Sequence, residues 1–219
     1  MATQSATEGS ERSRYVVLVD LVGSRDIDDR ESFGSRLEDA INIINDSEGK
    51  HMSTPMTRMG GIDEFGCVLT RLEPLPGIVC SLLDRIHPTL ARFGVSTGEI
   101  DIGYDHETVA EMDGPAFHRA RTLLEDAESV GLYAGVDTGA PTDSLVSTAL
   151  NAFVLAREPI TERQIEVILA YEQSGTQTAA GDQLGIPQQA VSDALRRANY
   201  RQRRAIRDEL TRAIATNYD

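Results

Sequence analysis

The carboxylates whose spacing could do chemistry are Asp20 and Asp63. Asp20 ends the apolar run Tyr15-Val-Val-Leu-Val and opens a Leu-Val-Gly-Ser-Arg loop, and Asp63-Glu64 follows Gly60-Gly61. An apolar run without polar interruption predicts a strand buried on both faces, with Asp20 at its exposed end. Segments 56–59 and 65–69 predict a hairpin with acids at its turn. If that hairpin pairs beside the first strand, Asp20 and Asp63 converge. Two carboxylates at close range repel unless a proton or a divalent cation separates them, and Mg2+ or Mn2+ suits such oxygen ligands. The plainer roles are a loop cap for Asp20 and a turn residue for Asp63.

A second chemistry is carried by cations. The chain of 219 residues has a net charge of −14, which by itself argues against a phosphate-rich partner. The charge is segregated, however: Arg196, Arg197, Arg201, Arg203, Arg204, Arg207 and Arg212 face only Asp208 and Glu209, a local balance of +5, so the rest carries −19. Just before them, Gln188, Gln189 and Ser192 open a helix, where amide side chains can pair with adenine edges while the arginines meet phosphates. Gln189→Ala should then relax sequence preference, and Arg203→Ala should weaken all double-stranded DNA alike. His118 and Arg121 stand at the start of another helix, where amides and dipole favour phosphate; His118 could equally bond locally.

The elements that position these groups follow in order. Residues 1–13 are polar and predict a disordered tail. After strand one, Phe33, Leu37, Ala40, Ile41 and Ile44 recur at helical spacing. The hairpin follows, and Pro76 opens a helix with Ile78, Val79, Leu82, Leu83 and Ile86 inward. Residues 92–102 alternate as a strand whose glycines imply close backbone approach. Phe117, Ala120, Leu123, Leu124 and Ala127 mark a third helix before a last strand, 132–136. The expected fold is α+β, a sandwich with a mainly antiparallel sheet over residues 14–137. Residues 138–157 form a turn and connecting helix. Over 158–219, short helices around Gly185-Ile186-Pro187, with Val191 and Leu195 inward, predict a helix-turn-helix domain whose second helix enters a major groove. Two such units are needed to read two half-sites, so a homodimer is expected.

No run of eighteen apolar residues and no basic-apolar leader occurs, so neither a membrane span nor a signal peptide is expected, and the cytoplasm is the expected location. Cys67 and Cys80 lack metal-ligand spacing and predict buried free thiols. Lys50 is the sole lysine among abundant acids, a composition expected of a halophilic archaeon working in concentrated salt.

Asp20-Leu-Val-Gly-Ser-Arg, the Gly-x-Asp-Glu-Phe hairpin, Arg92-Phe-Gly-Val-Ser-Thr-Gly, Asp113-Gly-Pro-Ala-Phe-His-Arg-Ala-Arg and a terminal helix-turn-helix together resemble the SatD family over about residues 14–200. The N-terminal motifs also resemble the palm-type domain of class III nucleotide cyclases and GGDEF diguanylate cyclases, which implies a palm/ferredoxin-like sandwich. By that resemblance Asp20 and Asp63 hold two divalent cations on a nucleoside triphosphate, and Leu21, Val22, Gly23 and Ser24 cradle its phosphates. His118 stands where the cyclase helix has asparagine, and Ile62 where SatD proteins have glycine. The leading expectation is a DNA-binding regulator whose palm-like domain senses a nucleotide or metal. The alternatives are a metal-dependent nucleotidyl-transfer enzyme using Asp20 and Asp63, and a catalytically inactive scaffold for protein contacts.

Overall fold

The structure, a computed structural model, describes residues 14–61, 63–103 and 106–218. The tail expected over residues 1–13, and Ile62, lie outside the described residues. Strand β1 (Tyr15–Leu21) is the middle of a five-stranded sheet ordered β2-β3-β1-β4-β5, with β2 Met52–Gly60, β3 Glu64–Leu69, β4 Ala91–Thr97 and β5 Ala134–Asp137. β1 pairs antiparallel with β3 and β4, β2 pairs antiparallel with β3, and only β4 and β5 run parallel. The fold is thus mixed, a mostly antiparallel sheet with eight α-helices among the described residues.

The apolar run of β1 explains the layering, because successive side chains leave a strand on opposite faces. Tyr15, Val17, Val19 and Leu21 join the core under α1 (Arg30–Glu48) and α2 (Leu75–Ile86). Val16 and Leu18 join a smaller core with Ala116, Phe117 and Ala120 of α3 (Pro115–Ser129). The stripes expected on α1 and α2 are buried throughout. Gly94 lets α3 lie directly on the sheet: a Cβ there would fall 2.1 Å from the Ala120 carbonyl oxygen. Beside it the Ser96 hydroxyl donates to the Ala116 carbonyl at 2.6 Å.

An asparagine satisfies the backbone of one residue on each sheet edge. On β2, the Met56 N–H donates to Asn45 Oδ1 at 2.8 Å and its carbonyl accepts from Asn45 Nδ2 at 2.9 Å. On β5, Asn151 of α4 (Asp143–Leu155) accepts from the Ala134 N–H at 3.1 Å and donates to the Ala134 carbonyl at 2.8 Å. Ser147 Oγ takes the Val136 N–H at 2.9 Å.

Beyond α4, helices α5 (Glu162–Ser174), α6 (Gln177–Leu184) and α7 (Gln188–Arg197) form their own core of Ile165, Val167, Ile168, Ala180, Val191 and Leu195. Thr161 starts α5 through a reciprocal cap with Gln164, which satisfies two N–H groups that a helix start leaves open. Helix α8 (Tyr200–Asn217) packs against α7 and then runs back along α2 and α4, burying Ile214 in the main core. The Tyr15 hydroxyl donates to the Tyr218 carbonyl, and the Tyr218 hydroxyl donates to Asp143 at 2.9 Å.

One buried carboxylate ties the two parts together. Asp84 Oδ1 of α2 accepts from Arg157 Nε and from Arg203 Nη2, both at 3.1 Å, and the three side chains are almost wholly out of water. Arg157 Nη2 also lies 2.7 Å from Cys80 Sγ. Both cysteines are free thiols, and burial pushes Cys67 up to about 12 and Cys80 up as well. Among the described residues no helix is long and apolar enough to cross a membrane.

Candidate functional site

The β2–β3 hairpin pairs beside β1, so its turn arrives at the Asp20 end of the sheet, and the Leu21 N–H donates to the Asp63 carbonyl at 3.1 Å. Ser24, in a single 3-10 turn after Gly23, donates its hydroxyl to Asp63 Oδ2 at 3.3 Å. Asp20 faces α3, directly opposite Glu64 on β3 and Arg92 on β4. Arg92 Nη1 reaches Asp20 Oδ2 at 3.3 Å and Glu128 Oε1 at 3.2 Å.

Asp20 and Glu64 open into a cleft of about 160 Å³ between the sheet and α3, lined also by Arg121, Glu125 and Glu128 over an apolar floor. Arg121, Glu125 and Glu128 are spaced by four and three positions, which places them on one face of a helix. The Asp20 carboxyl is held above its usual range: partial burial penalises the anion, Arg92 opposes that penalty, and Glu128 and Asp63 add to it.

The residues expected to contact a nucleotide are thus divided. Arg121 shares the cleft with Asp20. His118 is exposed and its Nε2 lies 3.3 Å from Asp113 Oδ1. The Leu21 N–H is committed to Asp63 and the Val22 N–H to the Leu90 carbonyl at 2.9 Å, so of the expected phosphate cradle only Gly23 and Ser24 keep their amides clear of a sheet partner.

A pair of six-coordinate cations needs several carboxylate oxygens at once. Among the described residues no three His, Cys, Asp or Glu side chains are grouped to hold a metal ion, and Asp20 already carries a guanidinium as counter-charge. The donors present do not fit a two-cation centre. The Asp63 carboxylate accepts from the Ser24 hydroxyl and does not belong to the lining of the cleft.

Sequence reasoning missed Arg92, Glu64, Glu125 and Glu128. The last two were signalled by their spacing from Arg121, and Glu64 by its place beside Asp63. Arg92 carried no local signal, since strand register alone sets it against Asp20.

A second surface is built by α6, α7 and α8. The chain leaves α6 through left-handed Gly185 and enters α7 after Pro187. Val191 and Leu195 anchor α7, while Gln188, Gln189, Arg196 and Arg197 are exposed and Ser192 is half-buried. Gln188 Nε2 bonds Gln177 Oε1 at 2.5 Å. Asp193 accepts from Arg196 at 2.8 Å and from Gln189 at 3.4 Å, and Arg196 holds its carboxyl below the usual range.

Arg201 and Arg204 are exposed at the start of α8. Arg203, expected on the same surface, is instead buried on Asp84, with Nε and Nη1 left without a hydrogen-bond partner. Successive helix positions point about 100° apart, so Arg203 falls on the face that α8 lays against α2 while its neighbour Arg204 stays exposed.

None of the curated proteins compared with the chain matches it. The model of the SatD family matches residues 15–169, from the first residue of β1 into α5, and so takes in the whole sheet and its acidic cleft. With well over half of its length matched in this way, the chain belongs to the SatD family.

Proposed function

We propose that the chain is a DNA-binding regulatory protein in which α6 and α7 form a helix-turn-helix and the sheet part senses a small ligand. The observation that carries this reading is α7 itself: apolar residues fix one side of the helix, and Gln188, Gln189, Arg196 and Arg197 stand in solvent on others. Amides at the start of such a helix suit adenine edges, and guanidiniums at its end and on α8 suit phosphates. A homodimer supplies the second half-site.

The sheet part is read as palm-like. The succession strand, helix, two strands, helix, strand, with antiparallel order β2-β3-β1-β4, supports the reading of a ferredoxin-like sandwich extended by β5. Its cleft is small and acidic, which favours a single divalent cation over a triphosphate. Nucleotidyl transfer is the second reading, favoured by the one fact that Asp20 and Asp63 lie at the same end of the sheet.

The test is binding of the full chain to a randomised duplex pool in concentrated KCl, with and without Mn2+, followed by chromatography with ATP. Selection of a defined sequence supports the regulator. Turnover of ATP that Asp20→Asn/Asp63→Asn abolishes would replace it with the enzyme, and binding of neither sequence nor ion would remove both.

A further inference from the structure

We propose that the groove between α7 and α8 is a binding site for a nucleoside phosphate. It is a different place from the Asp20 cleft, and its size and charge are the opposite. The groove encloses about 580 Å³ and the cleft about 160 Å³, and sites for small molecules commonly span about 300–1,000 Å³. Four carboxylates line the cleft, where a phosphate would meet repulsion.

The groove is bounded instead by Arg196, Arg201 and Arg204. Its own acid, Asp208, is held by Arg207 at 3.0 Å and lies 3.9 Å from Arg204, an exposed and long pair that holds Arg204 only weakly. The pair between Arg196 and Asp193 is exposed, so it holds Arg196 weakly and leaves it able to turn to an anion. Between the arginines lie Tyr171 and Tyr200, packed edge to face with ring centroids 5.5 Å apart, beside Leu195.

Guanidiniums beside aromatic rings are what a base joined to a phosphate requires, since the ring faces stack on the base and the cations take the oxygens. A phosphate alone would use the arginines and leave the tyrosines idle. A ligand seated there would also occupy Arg201 and Arg204, which the DNA reading assigns to duplex phosphates. Nucleotide and DNA therefore compete, and the effector acts on the DNA-binding surface directly.

The competition rests on the DNA reading; the site does not. Isothermal titration of the full chain in metal-free buffer, with ATP, tripolyphosphate and adenosine as probes, tests it. ATP should bind about tenfold or more tighter than tripolyphosphate, the margin that stacking of one base supplies, and also tighter than adenosine, which lacks the phosphates that the guanidiniums hold. Arg201→Ala/Arg204→Ala, both at exposed positions, should lose most of that affinity, while Asp20→Asn and Arg212→Ala should not change it.

Equal binding of ATP and tripolyphosphate, loss on Asp20→Asn, or no ATP binding would overturn the proposal. Duplex DNA titrated into the same samples separates the two ideas. DNA bound but ATP not bound overturns the nucleotide site alone, whereas ATP bound through Arg201 and Arg204 without any DNA binding upholds it and removes the regulator reading.

Discussion

Arg203 of α8 meets Asp84 of α2 at 3.1 Å with both side chains at least nine-tenths buried, and Asp84 serves Arg157 through the same oxygen. Removing the carboxylate leaves two guanidiniums facing each other out of water. Asp84→Asn should destabilise the protein by about 3–5 kcal/mol. Replacing all three by apolar residues of similar volume should recover most of that loss, because no uncompensated charge is then buried. Urea midpoints of the two variants check this, and an unchanged midpoint for Asp84→Asn would refute the role given to the pair.

The proposed DNA-binding role predicts different effects for arginines at different positions. Arg201→Ala should reduce the slope of log K against log salt by about 0.9 without altering preference among sequences, as for one lost phosphate contact. Gln189→Ala should change the preference and leave the slope. Arg203→Ala should act through folding, so its loss of binding should follow its loss of stability. Fluorescence anisotropy at several KCl concentrations reads all three.

Gly94 has no room for a side chain, since an added Cβ would sit 2.1 Å from the Ala120 carbonyl oxygen. Gly94→Ala must push α3 off β4 and should cost roughly 1–3 kcal/mol, the usual range for overpacking. It should also disturb the Asp20 cleft, one wall of which is α3. A thermal melt equal to the wild type would contradict this.

The raised Asp20 carboxyl has a defined sign. The native state holds this proton more tightly than the unfolded chain, so the stability it contributes is full below the ordinary carboxylate value of 3.8 and is lost as pH rises through the higher native value. Asp20→Asn cannot ionise. Its stability relative to wild type should therefore increase from pH 3.5 to pH 7, by a small amount because the group is partly exposed. A bound Mn2+ would favour the anion and should reverse that trend for the wild type. Denaturant midpoints across the range, with and without Mn2+, decide both signs.

Asn151 holds the N–H and the carbonyl of Ala134 at the outer side of β5. Asn151→Ala should cost about 1–3 kcal/mol through groups left unsatisfied. Amide exchange at Tyr133 and Ala134 should speed up well beyond the change at β1. Uniform acceleration over the sheet would mean that Asn151 stabilises the whole fold and not its edge.

Much of the fold could be read from the chain because its periodicities are local. The apolar run before Asp20 is a buried strand, the stripes of α1 and α2 are buried, and the helix that follows Ile186-Pro187 begins at Gln188. The arrival of the hairpin turn at the Asp20 end of the sheet followed from one pairing. Arg203 could not be read, because in sequence it is one arginine among seven, and its partner lies 119 positions away. Asp84, flanked by Leu83 and Arg85, looked like any polar residue on an amphipathic helix. The Leu21 and Val22 amides looked free to meet phosphate until the strands beside them took their hydrogen bonds.

The two asparagines at the sheet edges bear on how copies of this protein can meet. An open strand edge is an adhesive that accepts another chain of almost any sequence. An acidic protein in dilute buffer is kept apart from its neighbours by charge, but in brine that repulsion fades within about 3 Å at 1 M salt. Asn45 and Asn151 give a protection that salt does not erase: each occupies the N–H and carbonyl of one edge residue, to which a neighbour's backbone would otherwise bond. At Met56 and at Ala134 a second copy therefore finds no free backbone pair to bind.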